Sequence, residues 1–146
     1  MKIKILTILI LFSSVLHAAV NDKKQGSLVL NFSGLKSDQG FVVVKLYDQN
    51  SPKFPDTKSA ISIMKAPVSE GKTSILFPDL PYGTYAFTTF HDENNNGVMD
   101  TNFLHFPIEG YAFSNKRKVV FGPPSFARAS FKIDRETVIV DVKMNY

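Results

Sequence analysis

No cysteine and no tryptophan occur among the 146 residues. The first absence excludes a disulfide framework, a thiolate zinc site, a cysteine nucleophile and a lipid-modified cysteine at an export cleavage site. Charge is sparse as well: 17 Lys+Arg stand against 13 Asp+Glu, 21% of the chain, beside 44% hydrophobic residues. That balance excludes a long disordered tail as the main content. The net charge of +4 overstates the basic character, because Lys2 and Lys4 lie in an apparent leader. Without them 15 basic residues face 13 acidic ones, a net charge of +2, too weak to argue for a nucleic-acid partner. Apolar runs of bilayer length are missing too. The longest, over residues 5–16, is interrupted by Thr7, Ser13 and Ser14 and falls short of the roughly 20 residues a spanning helix needs.

What is present at the start of the chain is a leader pattern. Met1-Lys2-Ile3-Lys4 supplies a short basic start, the apolar run follows, and His17-Ala18-Ala19 supplies small residues. This is the layout of a secretory signal peptide, with cleavage expected after Ala18. Residues 1–18 are therefore read as a signal peptide and residues 19–26 as a flexible polar segment. Residues 27–146 are read as one domain, large enough to hold a core without disulfides. The expected place is the periplasm or the cell exterior, with no transmembrane segment after cleavage.

Period-two patterning dominates this domain. Leu28, Leu30 and Phe32 alternate with Val29, Asn31 and Ser33, while residues 41–47 are apolar on both faces except at Lys45. Ile61 and Ile63, then Thr73, Ile75 and Phe77, mark two short strands, and residues 84–91 are rich in Thr, Tyr and Phe. Ala129, Phe131 and Ile133 alternate near the end. Val138, Val140, Val142 and Met144 give the cleanest half-buried pattern in the chain. Gly34, Gly40, Ser51-Pro52, Pro67, Gly71, residues 78–83 and Asp134-Arg135 break the runs. About seven short strands with regular turn signals predict an all-β antiparallel sandwich, transthyretin-like or immunoglobulin-like. Only residues 55–63 and 124–129 could hold a turn or two of helix.

Residues 102–126 break the alternation yet contain Phe103, Phe106, Tyr111, Phe113, Phe121 and Phe126. These rings are expected to plug one end of the sandwich, since isolated rings are usually core. The competing reading is a ligand-facing aromatic surface. Lys116-Arg117-Lys118 in the same stretch reads as a solvated turn.

Just before that stretch lies the most specific chemical signal. In His91-Asp-Glu-Asn-Asn-Asn-Gly-Val-Met-Asp100, Asp92, Asn94 and Asn96 occupy alternate positions, Gly97 follows, and Asp100 stands at the ninth position. Calcium takes six to eight oxygens, so a loop wraps it only if oxygen-bearing residues recur in this way. A glycine makes the sharp turn and the next carbonyl, here that of Val98, points inward. The metal ligands expected are therefore Asp92, Asn94, Asn96, Val98 and Asp100, and the ion is Ca2+. Position twelve is Phe103 where an EF-hand needs an acid. Glu93 and Glu109 are nearby oxygens that spacing alone does not assign.

A catalytic reading uses His91, Asp92 and His105 as a nitrogen–oxygen metal site of a small hydrolase. Against it, adjacent strand residues such as His91 and Asp92 point to opposite faces. No nucleophile elbow, phosphate loop or zinc-binding helix motif accompanies them. No catalytic residue or organic cofactor is assigned.

Four motifs in succession carry a family resemblance. They are Phe77-Pro-Asp-Leu-Pro-Tyr-Gly-Thr-Tyr85, then His91-Asp-Glu-Asn-Asn-Asn-Gly97 with Asp100-Thr-Asn-Phe103, then Glu109-Gly-Tyr-Ala-Phe-Ser-Asn115, and Phe121-Gly-Pro-Pro-Ser-Phe126. The series resembles domain-of-unknown-function family 2141, a family of exported bacterial proteins, over nearly all of residues 27–146. The resemblance implies a secreted all-β domain without an established activity. Leu80-Pro-Tyr-Gly-Thr-Tyr85 is also similar to the turn-then-strand motif of transthyretin-like and collagen-adhesin repeat sandwiches. The 92–100 loop is similar to the calcium loops of bacterial surface-repeat sandwiches, which implies Asp92, Asn94, Asn96 and Asp100 as ligands. The expected function is a secreted, monomeric, non-catalytic binding or accessory module whose partner is an envelope component, a glycan or a protein. A purely structural envelope protein is the remaining alternative.

Overall fold

A computed structural model describes residues 24–116 and 122–146. The leader expected at 1–18 lies outside the described residues, as do Arg117, Lys118 and Phe121. Eight strands are found among the described residues: β1 Gln25–Ser33, β2 Phe41–Asp48, β3 Ser62–Pro67, β4 Lys72–Pro81, β5 Gly83–Asp92, β6 Tyr111–Phe113, β7 Phe131–Ile133 and β8 Thr137–Lys143. They form two sheets, one in the order β4-β1-β8 and one in the order β3-β2-β5-β6, with β7 also pairing β5. The architecture is the all-β sandwich read from the sequence.

Alternation explains which faces meet. Leu28, Leu30 and Phe32 of β1, Ile75 and Phe77 of β4, and Val142 of β8 are buried against Val42, Val44 and Leu46 of β2 and Phe87 of β5. Each comes from every second position of its strand, as a pleated strand buried on one face requires. β2 is apolar on both sides because its outer face is also covered. Tyr47 is buried there, stacks edge-on to Phe54 at 5.0 Å, and Phe54 meets Phe126 at 5.9 Å. The short helical turns fall where breakers allow them, at Thr57–Ser59 and Phe126–Ala129.

Several expectations are corrected. β1 begins at Gln25, inside the segment expected to be loose. The Tyr82 N–H bonds to the Lys24 carbonyl there, and Gly26 lies against the Arg135 carbonyl, where no side chain would fit. β1 and β8 run parallel, in register from Ser27↔Thr137 to Ser33↔Lys143, so the sandwich is not antiparallel throughout. Nearly the whole domain forms the crossover that a parallel pair needs. β4 continues through Pro78 and Pro81, expected to be breakers. The register slips opposite Gly26 and Leu28, Asp79 takes φ 52°, and β4 lies at its sheet's edge, where prolines leave no ladder partner unmet.

Among the described rings of the aromatic stretch, Phe103 and Phe106 do not plug an end of the sandwich. Phe103 is 90% and Phe106 62% exposed, while Tyr111, Phe113 and Phe126 are half-buried. Within that stretch β6 forms, whose Tyr111 and Phe113 pair with Phe90 and Thr88 on the side of β5 away from β2. β7 pairs with Gly83 to Tyr85 farther along the same edge. β5 is thereby paired with β2 up to Asp92 and held on its other side as far as His91, whose N–H donates to the Gly110 carbonyl at 2.8 Å.

Candidate cation loop

β5 ends in His91-Asp92, both buried. Gly40, at φ +70°, lies against the Asp92 carbonyl, and any Cβ there would collide with that backbone. The β1–β2 connection therefore closes over the end of β5 only because residue 40 is glycine.

Asp92 is 2% exposed, and both of its carboxylate oxygens hold the turn that follows. Oδ1 accepts from the Asn96 N–H at 3.0 Å and Oδ2 from the Gly97 N–H at 2.9 Å. The Asn94 Oδ1 accepts from the Asn96 N–H at 3.1 Å, and the Asn96 Oδ1 from the Val98 N–H at 2.9 Å. Asn95 at φ 59° and Gly97 at φ 80° supply the left-handed steps, as Asn and Gly do at least cost. Asp100 closes the ring: its Oδ2 accepts from the Asn94 Nδ2 at 2.6 Å and its Oδ1 from the Asn96 Nδ2 at 3.0 Å. Asp92, Asn94, Asn96 and Asp100 are thus gathered into one loop. Val98 contributes its N–H to that network, and its side chain is 58% exposed.

Glu109 is the residue that spacing could not assign. It is 6% exposed and ties both ends of the loop, with Oε1 accepting from the Glu93 N–H at 3.2 Å and Oε2 from the Asp100 N–H at 3.0 Å. Burial pushes its carboxyl above the ordinary glutamate value, against the lowering effect of those two backbone bonds. The signal that could have found it is its isolation, since no other acidic residue occurs between Asp100 and Asp134. Glu93 turns elsewhere: its Oε2 accepts from the Ser37 hydroxyl at 2.9 Å.

The donor set suits a hard cation. Each carboxylate or amide oxygen that holds a backbone N–H keeps a second lone pair with which it can meet a cation. The amide N–H groups of Asn94 and Asn96 now meet the charge of Asp100, and a cation would take over that role. Among the described residues, no group of three or more His, Cys, Asp or Glu side chains is placed to hold a metal ion. The loop's set is of a different kind, two carboxylates mixed with amide oxygens.

The same geometry does not gather the hydrolase trio. His91 is fully buried, with Nε2 2.8 Å from the Gln39 carbonyl oxygen and Nδ1 2.8 Å from the Tyr146 hydroxyl. The carbonyl can only accept, so Nε2 carries a proton, and Nδ1 also lies 3.7 Å from the Glu93 carboxylate. His105 lies on an exposed turn at φ 64°.

A family model described as an uncharacterized protein conserved in bacteria (DUF2141) matches residues 30–141. The chain belongs to that family. The matched span runs from Leu30 in β1 to Asp141 in β8 and includes the whole loop together with Glu109. No curated protein and no solved structure matches the chain. In this family member no described helix is long and apolar enough to cross a membrane.

Proposed function

We propose that this protein is an exported, non-catalytic β-sandwich module that binds calcium in its 92–100 loop. It serves as a binding or accessory domain in the periplasm or outside the cell. The observation that carries the reading is the paired grip of Asp92 on the Asn96 and Gly97 N–H groups. With the alternate oxygens of Asn94 and Asn96 and the closing Asp100, it shapes the loop as a cation wrap before any cation arrives. Two carboxylates give a weak site, with a dissociation constant on the order of 10⁻⁴ M, in the range of extracellular modules.

The reading is tested by thermal melting in millimolar calcium against a chelator. A cation that binds only the folded loop stabilises it by about 1.4 kcal/mol at ten times its dissociation constant and by about 2.7 kcal/mol at a hundredfold. Superimposable melting curves would reduce the loop to an Asn-Gly turn. Magnesium should act weakly, because it demands a smaller octahedron and gives up water reluctantly.

A further inference from the structure

Between Asp100 and Glu109 the chain makes a turn whose side chains and backbone are at odds with an ordinary solvated loop. Every residue from 101 to 108 is exposed, and four of them are large and apolar: Phe103 at 90%, Leu104 at 58%, Phe106 at 62% and Ile108 at 62%. The segment contains no Lys, Arg, Asp or Glu, and His105 is its only titratable group.

The backbone, by contrast, is closed on itself. The Asn102 N–H donates to the Phe106 carbonyl at 2.9 Å, and the His105 N–H to the Asn102 carbonyl at 2.9 Å. The Asn102 Oδ1 accepts from the Leu104 N–H at 2.9 Å and from the Phe106 N–H at 3.1 Å. The Ile108 N–H reaches the Asp100 carbonyl at 3.0 Å, and Pro107 has no N–H to satisfy. Water is therefore not needed to satisfy most donors of this turn. That lowers the cost of seating irregular backbone at headgroup level, where water still reaches the carbonyls.

We propose that the 101–108 turn is a bilayer-docking tip. It seats Phe103, Leu104, Phe106 and Ile108 just below the headgroups of a zwitterionic phospholipid surface. Area argues against a protein partner. At ordinary side-chain areas the four side chains offer roughly 500 Å², less than the ~800 Å² each partner gives to a stable protein–protein interface. A bilayer needs no matching surface and accepts the area as it is. Charge selects the headgroup. Residues 101–108 carry no Lys or Arg to draw an anionic surface, and the half-buried acids Glu93 and Asp100 stand just outside the tip. With no basic residue at the tip and acids beside it, the net-neutral surface of phosphatidylethanolamine or phosphatidylcholine is favoured over an anionic one. The inference stands apart from the cation reading.

The chain has no tryptophan, so Phe103→Trp places a single reporter at the tip. Vesicles of phosphatidylcholine and phosphatidylethanolamine, in chelator, should shift its emission to the blue and allow quenching by lipids brominated on the acyl chain. Phe103→Ser and Phe106→Ser should each lower vesicle partitioning on the order of tenfold or more. Neither should change the melting temperature. Adding phosphatidylglycerol in chelator should weaken binding.

A reporter that stays in water at saturating lipid overturns the proposal. So does vesicle binding untouched by the serine substitutions, which would assign it to another part of the chain, the 5–16 run above all. Concentration-dependent self-association that the same substitutions abolish, without lipid binding, would make the tip a protein contact and also overturn it. The melting comparison in calcium and chelator tests the other reading alone. Superimposable curves there, with zwitterionic vesicle binding intact, would count against the cation loop and leave the docking tip standing.

Discussion

The Tyr146 hydroxyl is hydrogen-bonded to Nδ1 of His91 at 2.8 Å, across 55 positions of sequence. The same hydroxyl oxygen accepts from the Lys36 N–H at 3.1 Å, and its ring lies against Gly110, where a Cβ would collide with it. One side chain thus joins the β1–β2 connection, the end of β5 and the start of β6. Tyr146→Phe leaves the ring in place but removes the partner of a fully buried imidazole nitrogen. The expected cost is about 1–3 kcal/mol, the price of an unmet buried polar group, read as a lowered midpoint in urea at unchanged slope. A midpoint equal to wild type would show that His91 finds water there.

The exposures of the phenylalanines separate core from tip. Phe87 is fully buried between the sheets and stacks on Phe131 at 5.9 Å. Phe87→Ala should therefore destabilise by about 3–5 kcal/mol. Phe103→Ala, at a ring 90% exposed, should stay within about 0.5 kcal/mol of wild type. Chemical denaturation of the two variants side by side checks the assignment, and a large loss at Phe103 would return that ring to the core.

Much of this arrangement is legible from the chain alone, and the limits have physical causes. The alternation of Leu28, Leu30 and Phe32, and the two-sided apolar run of β2, follow from the pleat and from burial on one or both faces. The gathering of Asp92, Asn94, Asn96 and Asp100 into one loop is legible because these residues recur at fixed local spacing. β6 is not, because three residues carry no usable period and Tyr111 to Phe113 form a strand only by pairing with β5. Glu109 and Tyr146 act through contacts made by folding across many residues, which local spacing does not encode. The exposure of Phe103 and Phe106 also runs against the general rule that rings go inside. Local bonding around Asn102 fixes the turn, and no packing partner follows.

Acid should expose one further support. Asp38 accepts from the Glu70 N–H at 2.9 Å and the Gly71 N–H at 2.8 Å, and these bonds hold its carboxyl below the ordinary aspartate value. Its folded pKa lies below its unfolded one. Its contribution is therefore complete above the ordinary aspartate range, about 3.9, and is lost as pH falls through the lower folded value. Asp38→Asn should flatten the acid limb of the stability profile and leave the slope near neutrality unchanged. Denaturant midpoints at several pH values check this, and an acid limb identical to wild type would remove Asp38 from the account.

Export makes a direct mass prediction. The Lys2/Lys4 start, the 5–16 apolar run and Ala18-Ala19 carry it. Protein isolated from the envelope fraction should give a chain beginning near Ala19. Full-length protein recovered from the cytosol would contradict it.

The two certain carboxylates of the loop should behave differently without calcium and alike with it. Asp92 is buried and holds the Asn96 and Gly97 N–H groups, so Asp92→Ala removes the loop's own frame. In chelator it should cost about 1.5–3 kcal/mol, as for hydrogen bonds to a charged group. Asp100 is half-buried and meets the side-chain amides of Asn94 and Asn96, which are exposed and can return to water. Asp100→Ala in chelator should therefore cost only about 0.5–1.5 kcal/mol. Adding millimolar calcium should raise the wild-type melting temperature by several degrees and neither variant's, because a single remaining carboxylate does not offset the dehydration of a divalent cation. The decisive comparison is Asp100→Ala, whose loop keeps the Asp92 frame. If that variant still responds to calcium as wild type does, the ion binds elsewhere, and the 92–100 loop is a turn held by its own hydrogen bonds.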